Sequence, residues 1–431
     1  MALFGNVTLT IFVIFFVLLV LKVPIAITLG ISAIYGVYGA GLSMTMIPYN
    51  FRGGIAGFSL LAIPFFIMAG VIMEKTGMAK RLIRFMRMLV GPIPGGLAIS
   101  AVIVALFWGA VSGSGPATVA ALGTIMIPGM VKSNYDKDFA TAVISVSSGL
   151  AIIIPPSIAF IVYGQVAGAS IGTLFIAGII PGVLVGLALC LVVFIISRKR
   201  GYKGEEWKSL DELWEAFKGA FWAFMTPVVI LGGIYGGIFT PTEAASVAVF
   251  YGLFVGYFIY GTLDFKSLFK IGVDAANTTA VVMLVLGCAT LFTWIGTNLG
   301  FIADASDFLL GISDSELITL FFINLIVLVS GMIIDPVSIY YIYVPILQPI
   351  MMQMGWDPIW FGVVMTVNLA VGQVSPPVAV NLYVGSNISG ISLERLSKEA
   401  LPLIAGVLIA LILIVLFPAI TTIVPSMLGM L

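Results

Sequence analysis

No histidine occurs anywhere in the 431 residues, only 9% of the side chains are charged, and there are two cysteines. Each scarcity excludes a class of chemistry. Without imidazole there is no histidine proton relay, no His-activated serine or cysteine nucleophile, and little with which to hold a transition metal. Cys190 and Cys288 stand alone inside apolar runs, so they read as small buried hydrophobes rather than a disulfide or a metal site. Nineteen basic residues balance nineteen acidic ones, and a net charge of zero offers nucleic acid no footing. The glycine-rich turn Ser112-Gly-Ser-Gly lacks the Gly-Lys-Ser/Thr ending of a phosphate loop, which leaves ATP-driven chemistry without support. It does not make a nucleophile elbow either. Nothing implies an organic cofactor, or an enzyme.

What the chain has in abundance is apolar length. It is 61% hydrophobic, with a mean hydropathy of +1.20, and its repeated runs of about 20 apolar residues predict an all-α, multi-pass protein in the lipid bilayer. The first run follows no basic region and no small-residue cleavage site, so it is expected to be a retained span. Spans are expected near 4–21, 24–40, 54–74, 138–167, 173–197, 222–239, 241–260, 274–297, 358–388 and 400–424. Residues 94–131 and 316–350 are each interrupted near the middle by a polar turn and a proline, and read as re-entrant helical hairpins. Amphipathic pieces at 76–90, 264–271, 300–312 and 391–399 are expected along the interface, and Arg198–Phe221 forms a charged linker.

The second half repeats the first. At an offset of 221, Pro128 meets Pro349, Asp136 meets Asp357, Pro155-Pro156 meets Pro376-Pro377, Gly164 meets Gly385 and Pro181 meets Pro402. With one residue inserted, Pro116 meets Pro336. Repeat one carries Lys75, Lys80, Arg81, Arg84, Arg87, Lys132 and Lys137 where repeat two carries Asp304, Asp307, Asp314, Glu316 and Asp357. Under the positive-inside rule those regions lie on opposite sides of the membrane, which makes the repeats inverted. Threading on that basis puts both termini in the periplasm and 18 of the 19 basic residues in the cytoplasm, Arg52 being the exception.

Four breaks fall near mid-span: Ser112–Pro116, Ser147–Pro156, Ile333–Pro336 and Asn368–Pro377. In each, small or polar residues precede a proline, which suits the first position of a resuming helix. Each break should then aim the positive end of a half-helix at the bilayer centre, a way to bind an anion, while hydroxyls and loosened carbonyls suit Na⁺. The candidate Na⁺ ligands are Ser112, Ser114, Ser147, Ser148 and Gly149 in repeat one, and Asp335, Asn368, Gln373 and Ser375 in repeat two. Asp335 is the one acid at the four breaks, and is read either as a cation ligand or as the cap of the helix beginning at Pro336. Glu243 is discounted, because Thr240-Pro-Thr-Glu243 has the form of a capping box.

The tip Ser112-Gly-Ser-Gly-Pro-Ala-Thr-Val-Ala-Ala-Leu-Gly, the Pro155-Pro156-Ser break, the Phe239-Thr-Pro-Thr-Glu-Ala turn and the Gln373-Val-Ser-Pro-Pro break together resemble the large membrane subunit of TRAP (tripartite ATP-independent periplasmic) transporters. The likeness covers essentially the whole chain. It implies an elevator-type, Na⁺-driven importer of an organic acid anion, such as sialic acid or a C4-dicarboxylate, in the bacterial inner membrane. Two partners are implied with it, a periplasmic substrate-binding protein and a small membrane subunit of about four helices; since the chain starts at its first span, the latter is expected as a separate polypeptide. The implied substrate contacts are Ser112, Gly113, Ser114, Gly115, Pro156, Ser157 and Pro377. The implied division is scaffold and arm helices in 1–93, one transport half in 94–197, linker, scaffold and arm in 198–315, and a second transport half with the C-terminal span in 316–431. The rival reading is a stand-alone Na⁺/carboxylate symporter of a related fold. An intramembrane hydrolase lacks a base, and a channel would need a continuous polar stripe that is not found.

Overall fold

A computed structural model describes residues 6–206, 209–313 and 315–431; Asp314 of the acidic set and Lys208 of the linker lie outside them. Twenty α-helices occur among the described residues and no strand. In chain order they begin with α1 (Val7–Val20), α2 (Ile25–Gly39), α3 (Met46–Ile55), α4 (Ala62–Lys75) and α5 (Met78–Val90). The first core segment follows as α6 (Gly96–Ser112), α7 (Gly115–Lys132), α8 (Lys137–Ser147), α9 (Ile158–Ala167) and α10 (Ile171–Lys199). Then come α11 (Leu210–Tyr235), α12 (Pro241–Phe254), α13 (Phe265–Asn298) and α14 (Phe301–Leu310). The second core segment is α15 (Glu316–Gly331), α16 (Pro336–Met354), α17 (Pro358–Gly372), α18 (Val380–Ser389), α19 (Leu393–Leu416) and α20 (Ala419–Met427).

The internal repeat is visible in these boundaries. Helices α5 to α10 and α14 to α19 run in the same order, and the same offset carries one set onto the other to within a few residues. Among the described residues six helical stretches are long and apolar enough to cross a bilayer, while α6, α9, α15 and α17 are shorter because the chain turns or breaks beside them. Large apolar side chains such as Leu187, Phe250, Phe321 and Ile409 are exposed on the outside. An outer face of that kind is at home against acyl chains.

Two of the expected interfacial pieces are corrected. Residues 264–271 are the first turns of the 34-residue α13, begun by Asp264, whose side chain accepts from the Ser267 N–H at 2.8 Å. The Ser267 hydroxyl, and after it the Ser267 N–H, hold the Asp264 carboxyl below its usual value. Residues 393–399 likewise open α19 and run on into the span. A helix that already has its hydrogen bonds does not stop at the edge of the hydrocarbon. The short helix α3 was not anticipated. At the α11–α12 turn the capping box is present: the Thr240 N–H donates to Glu243 Oε2 at 2.8 Å, and the Glu243 N–H donates to Thr240 Oγ1 at 3.3 Å.

The core segments interlock. Helix α18 packs on α7 and α8 of the other repeat, and α9 packs on α16. Helices α1 to α4, α12 and α13 form one connected group, with α1 on α2, α12 on α4, and α13 on α2, α3 and α4.

Candidate functional site

At the first tip, α6 ends on Ser112 and α7 begins at Gly115, so the turn itself is two residues long. Gly113 closes it with a φ of +59°, a left-handed conformation that a side chain would resist. The Ser112 hydroxyl lies 2.6 Å from Thr118 Oγ1 and 3.3 Å from the Ser114 carbonyl oxygen. Gly113 sits against Pro156 and Ile158 of the break in its own repeat. Further up the same helix pair, a Cβ on Gly109 would meet the backbone of Ala151 at 2.7 Å.

The breaks differ in detail from the expected pattern. Pro116 and Pro336 do stand in the first turn of a resuming helix, where the missing N–H costs nothing. Pro156 and Pro377 instead end cis Pro-Pro pairs. After Pro156 the chain needs a new cap, and Ser157 provides it by accepting from the Phe160 N–H at 3.4 Å. After Pro377 the helix waits until Val380, behind Ala379 at a φ of +48°. Between Ser147 and the first of these breaks lies a 3₁₀ turn, Ser148–Ile152.

Several predicted ligands are satisfied by their own helices. Ser147, Ser148 and Ser375 donate their hydroxyl protons to Val143, Ile144 and Val371 at 2.6–2.7 Å. Their oxygens still have lone pairs. Gly149 packs on the Ala370 carbonyl of the other repeat. At the second tip, Asp335 caps α16: Oδ1 accepts from the Ser338 N–H at 3.0 Å, and Oδ2 from the Ser338 hydroxyl at 2.6 Å. The tip lies against the break in its own repeat, where Gly331 packs on Gly372 and the Val378 N–H donates to Met332 at 3.3 Å. Asn368 turns to α15, its amide nitrogen 2.8 Å from both oxygens of Asn324.

One convergence was not anticipated. Gly115, at the start of α7, sits directly over Gln373 and Asn381 of repeat two: a Cβ built there would lie 2.7 Å from Gln373 Oε1 and from both polar atoms of the Asn381 amide. Asn381 is fully buried and Gln373 is 6% exposed, and neither Gln373 Oε1 nor either Asn381 side-chain atom has a hydrogen-bond partner among the described residues. Leaving such groups unpaired costs about 1–3 kcal/mol each. Helix N–H groups, an amide nitrogen and two amide oxygens thus gather where the two repeats touch. Asn381 lies four residues beyond the Pro-Pro pair, and its polarity in the otherwise apolar stretch Val378–Val384 was the available signal. Of the predicted residues, Gly115 and Gln373 are brought together here. The contacts of Asp335 and Asn368 run instead to Ser338 and Asn324.

Broken helices meeting across two repeats are a transporter's architecture, and comparison with known proteins decides which. A family profile described as the DctM component of tripartite ATP-independent periplasmic transporters matches residues 12–420. The chain belongs to this family. It is therefore a permease component and not an enzyme, and it is a multi-pass protein of the inner membrane. The C4-dicarboxylate TRAP transporter large permease protein DctM of Rhodobacter capsulatus is 36% identical over 98% of this chain and 99% of its own length. The sialic acid large permease protein SiaM of Vibrio cholerae is 38% identical over 87% of this chain and 88% of its own. An isethionate TRAP transporter permease protein, DctMQ, of Oleidesulfovibrio alaskensis is 43% identical over 94% of the chain, which spans only 64% of that protein's length. Among solved structures, the YdaH transporter of Alcanivorax borkumensis superposes with a TM-score of 0.62 over 87% of this chain and 89% of its own, at 13% identity, a likeness of fold alone.

Proposed function

We propose that this DctM component imports a small organic acid anion across the inner membrane, driven by Na⁺, with a periplasmic binding protein delivering the substrate and a small four-helix subunit beside it. The observation that carries the anion is the unpartnered Asn381 amide, with the unpartnered Gln373 Oε1 beside it, under the N-terminus of α7. A carboxylate or sulfonate placed there would accept from the first-turn N–H groups and from the Asn381 amide, in a site screened from water. The relatives' printed substrates (C4-dicarboxylates, sialic acid, isethionate) share that acidic group. Na⁺ is assigned to the hard oxygens of the two tips and breaks: Ser112, Ser114, Ser147, Ser148 and Gly149 on one side, Asp335, Gln373 and Ser375 on the other, with Asn368 behind them. The two helix pairs α6–α7 and α15–α16 are read as re-entrant hairpins of an elevator's moving part. The test is uptake into vesicles under a Na⁺ gradient. With small subunit and loaded binding protein present, substrate should accumulate; without either, uptake should fall close to the blank. Vigorous uptake by the lone chain would select the stand-alone symporter.

The inverted orientation is tested separately. Single cysteines would be placed near Ser133, in the α7–α8 turn that follows the first helix pair, and near Gly311, in the α14–α15 turn that precedes the second. A membrane-impermeant thiol reagent applied from the periplasm should label the second and spare the first. Equal labelling would sink the inverted arrangement.

A further inference from the structure

Helix α5 is amphipathic, with Met78, Leu82 and Met86 buried in the core and a basic face turned outward. That face lines a cleft of about 680 Å³, in which Lys80, Arg84 and Arg87 meet Glu205 and Glu206 of the linker. Arg87 is already committed. Its Nε lies 2.8 Å from both oxygens of Glu205, and its Nη2 lies 2.6 Å from one of them. The hydrogen bond to Glu205 raises the guanidinium pKa further above its ordinary value. Arg84 has only a 3.9 Å approach to Glu215, with both side chains largely exposed, and at that distance and exposure the pair is weak. Lys80 is exposed and has no acidic partner among the described residues. Two cations therefore face the cleft against the one uncommitted acid, Glu206.

Beside the cleft lies a second cavity of about 350 Å³ with no charged wall, formed by Phe85 of α5 and Leu210, Leu213, Trp214 and Phe217 of α11. Its rim is apolar and open: Leu210 is 74% exposed and Trp214 57%. A soluble anion has no use for that groove, whereas a phospholipid needs both halves. We propose that this paired cleft and groove binds one anionic phospholipid of the cytoplasmic leaflet, its phosphate against Lys80 and Arg84 and an acyl chain along the Phe85–Trp214 groove. The corresponding helix of repeat two, α14, exposes Asp304 and Asp307 instead, so the lipid's charge would grip one repeat and not the other. The leaflet named rests on the orientation proposed above, whose cysteine test is independent of lipid binding.

The complex as extracted from its membrane would be exchanged into micelles containing phosphatidylcholine and phosphatidylglycerol, and retained lipid counted by native mass spectrometry. Phosphatidylglycerol should be enriched on the wild-type chain. Lys80→Gln with Arg84→Gln should lower that enrichment about twentyfold or more, since each basic residue at such a surface is worth about a factor of five. Both side chains are exposed, so the fold should survive, and an unchanged thermal midpoint would verify it. Arg198→Gln with Lys199→Gln removes the same charge elsewhere and should leave enrichment intact. Equal loss in both pairs would reduce the effect to diffuse charge and overturn the site. Displacement of the lipid by millimolar inorganic phosphate would overturn it too, in favour of a soluble anion.

Discussion

Gly115→Val is expected to abolish uptake while the protein still inserts and folds. Even a single added methyl group at this position would stand 2.7 Å from the Gln373 and Asn381 amides, both of them buried side chains. Something must shift, and what shifts is the floor of the proposed anion site. Gly115→Ala should lower the rate steeply; Gly115→Val should remove it. Gly129 makes the control, because a Cβ there meets nothing within 4 Å on the same helix. Gly129→Ala should transport normally and gain slightly in helix propensity, by about 1 kcal/mol at most. Wild-type rates from Gly115→Val would remove the α7 N-terminus from the substrate path. Asn381→Leu probes the same place from the other repeat, replacing a costly unpaired amide by an apolar group.

Asp335→Asn is expected to weaken apparent Na⁺ affinity about tenfold, the loss of one charge-assisted ligand in a poorly hydrated site. The substitution is informative because Asn is as good an N-cap as Asp. It keeps an acceptor for the Ser338 N–H and deletes only the charge. Ser338→Ala does the reverse, removing the 2.6 Å hydroxyl contact to the carboxylate while keeping the charge. If the charge serves the cation, Na⁺ dependence shifts with Asp335→Asn and far less with Ser338→Ala. If Asp335 is a cap alone, Asp335→Asn transports with an unchanged Na⁺ curve. Substrate capture by a soluble binding protein should be indifferent to both.

The repeat was legible because prolines and aspartates are rare and positionally demanding in an apolar chain. Asp357, at its offset place, does cap α17, accepting from the Ile359 N–H at 2.6 Å. Where a helix breaks was equally legible, since Pro-Pro and Gly-Pro leave the backbone few choices. Where a helix continues was not. Lys266, Lys270 and Asp274 give the start of α13 the composition of a surface piece, yet nothing in that stretch stops a helix once Asp264 has begun it. Hydropathy reports the solvent a residue meets, not the hydrogen bonds its neighbours have already formed. The site was half legible for a related reason. Gly115 and Gln373 stand at breaks and draw notice, but Asn381 is marked only by what a different repeat places against it. Single residues of that kind gain meaning from partners distant in the chain. Ser147 was marked by its position at a break, and its proton goes to the nearby Val143 carbonyl, which leaves the oxygen's lone pairs for a cation.

The crossed packing of α9 on α16 and of α18 on α7 and α8 has a consequence for how the protein is made. Synthesis runs from the amino terminus, so the first repeat emerges while the helices that complete its core are still unmade. Residues 115–167 must wait in the membrane, with faces meant for protein touching lipid or each other, until residues 336–389 arrive. Neither half is a finished object. A gene cut between them would yield two pieces that each lack the other's half-helix, and the anion site would exist only where they met.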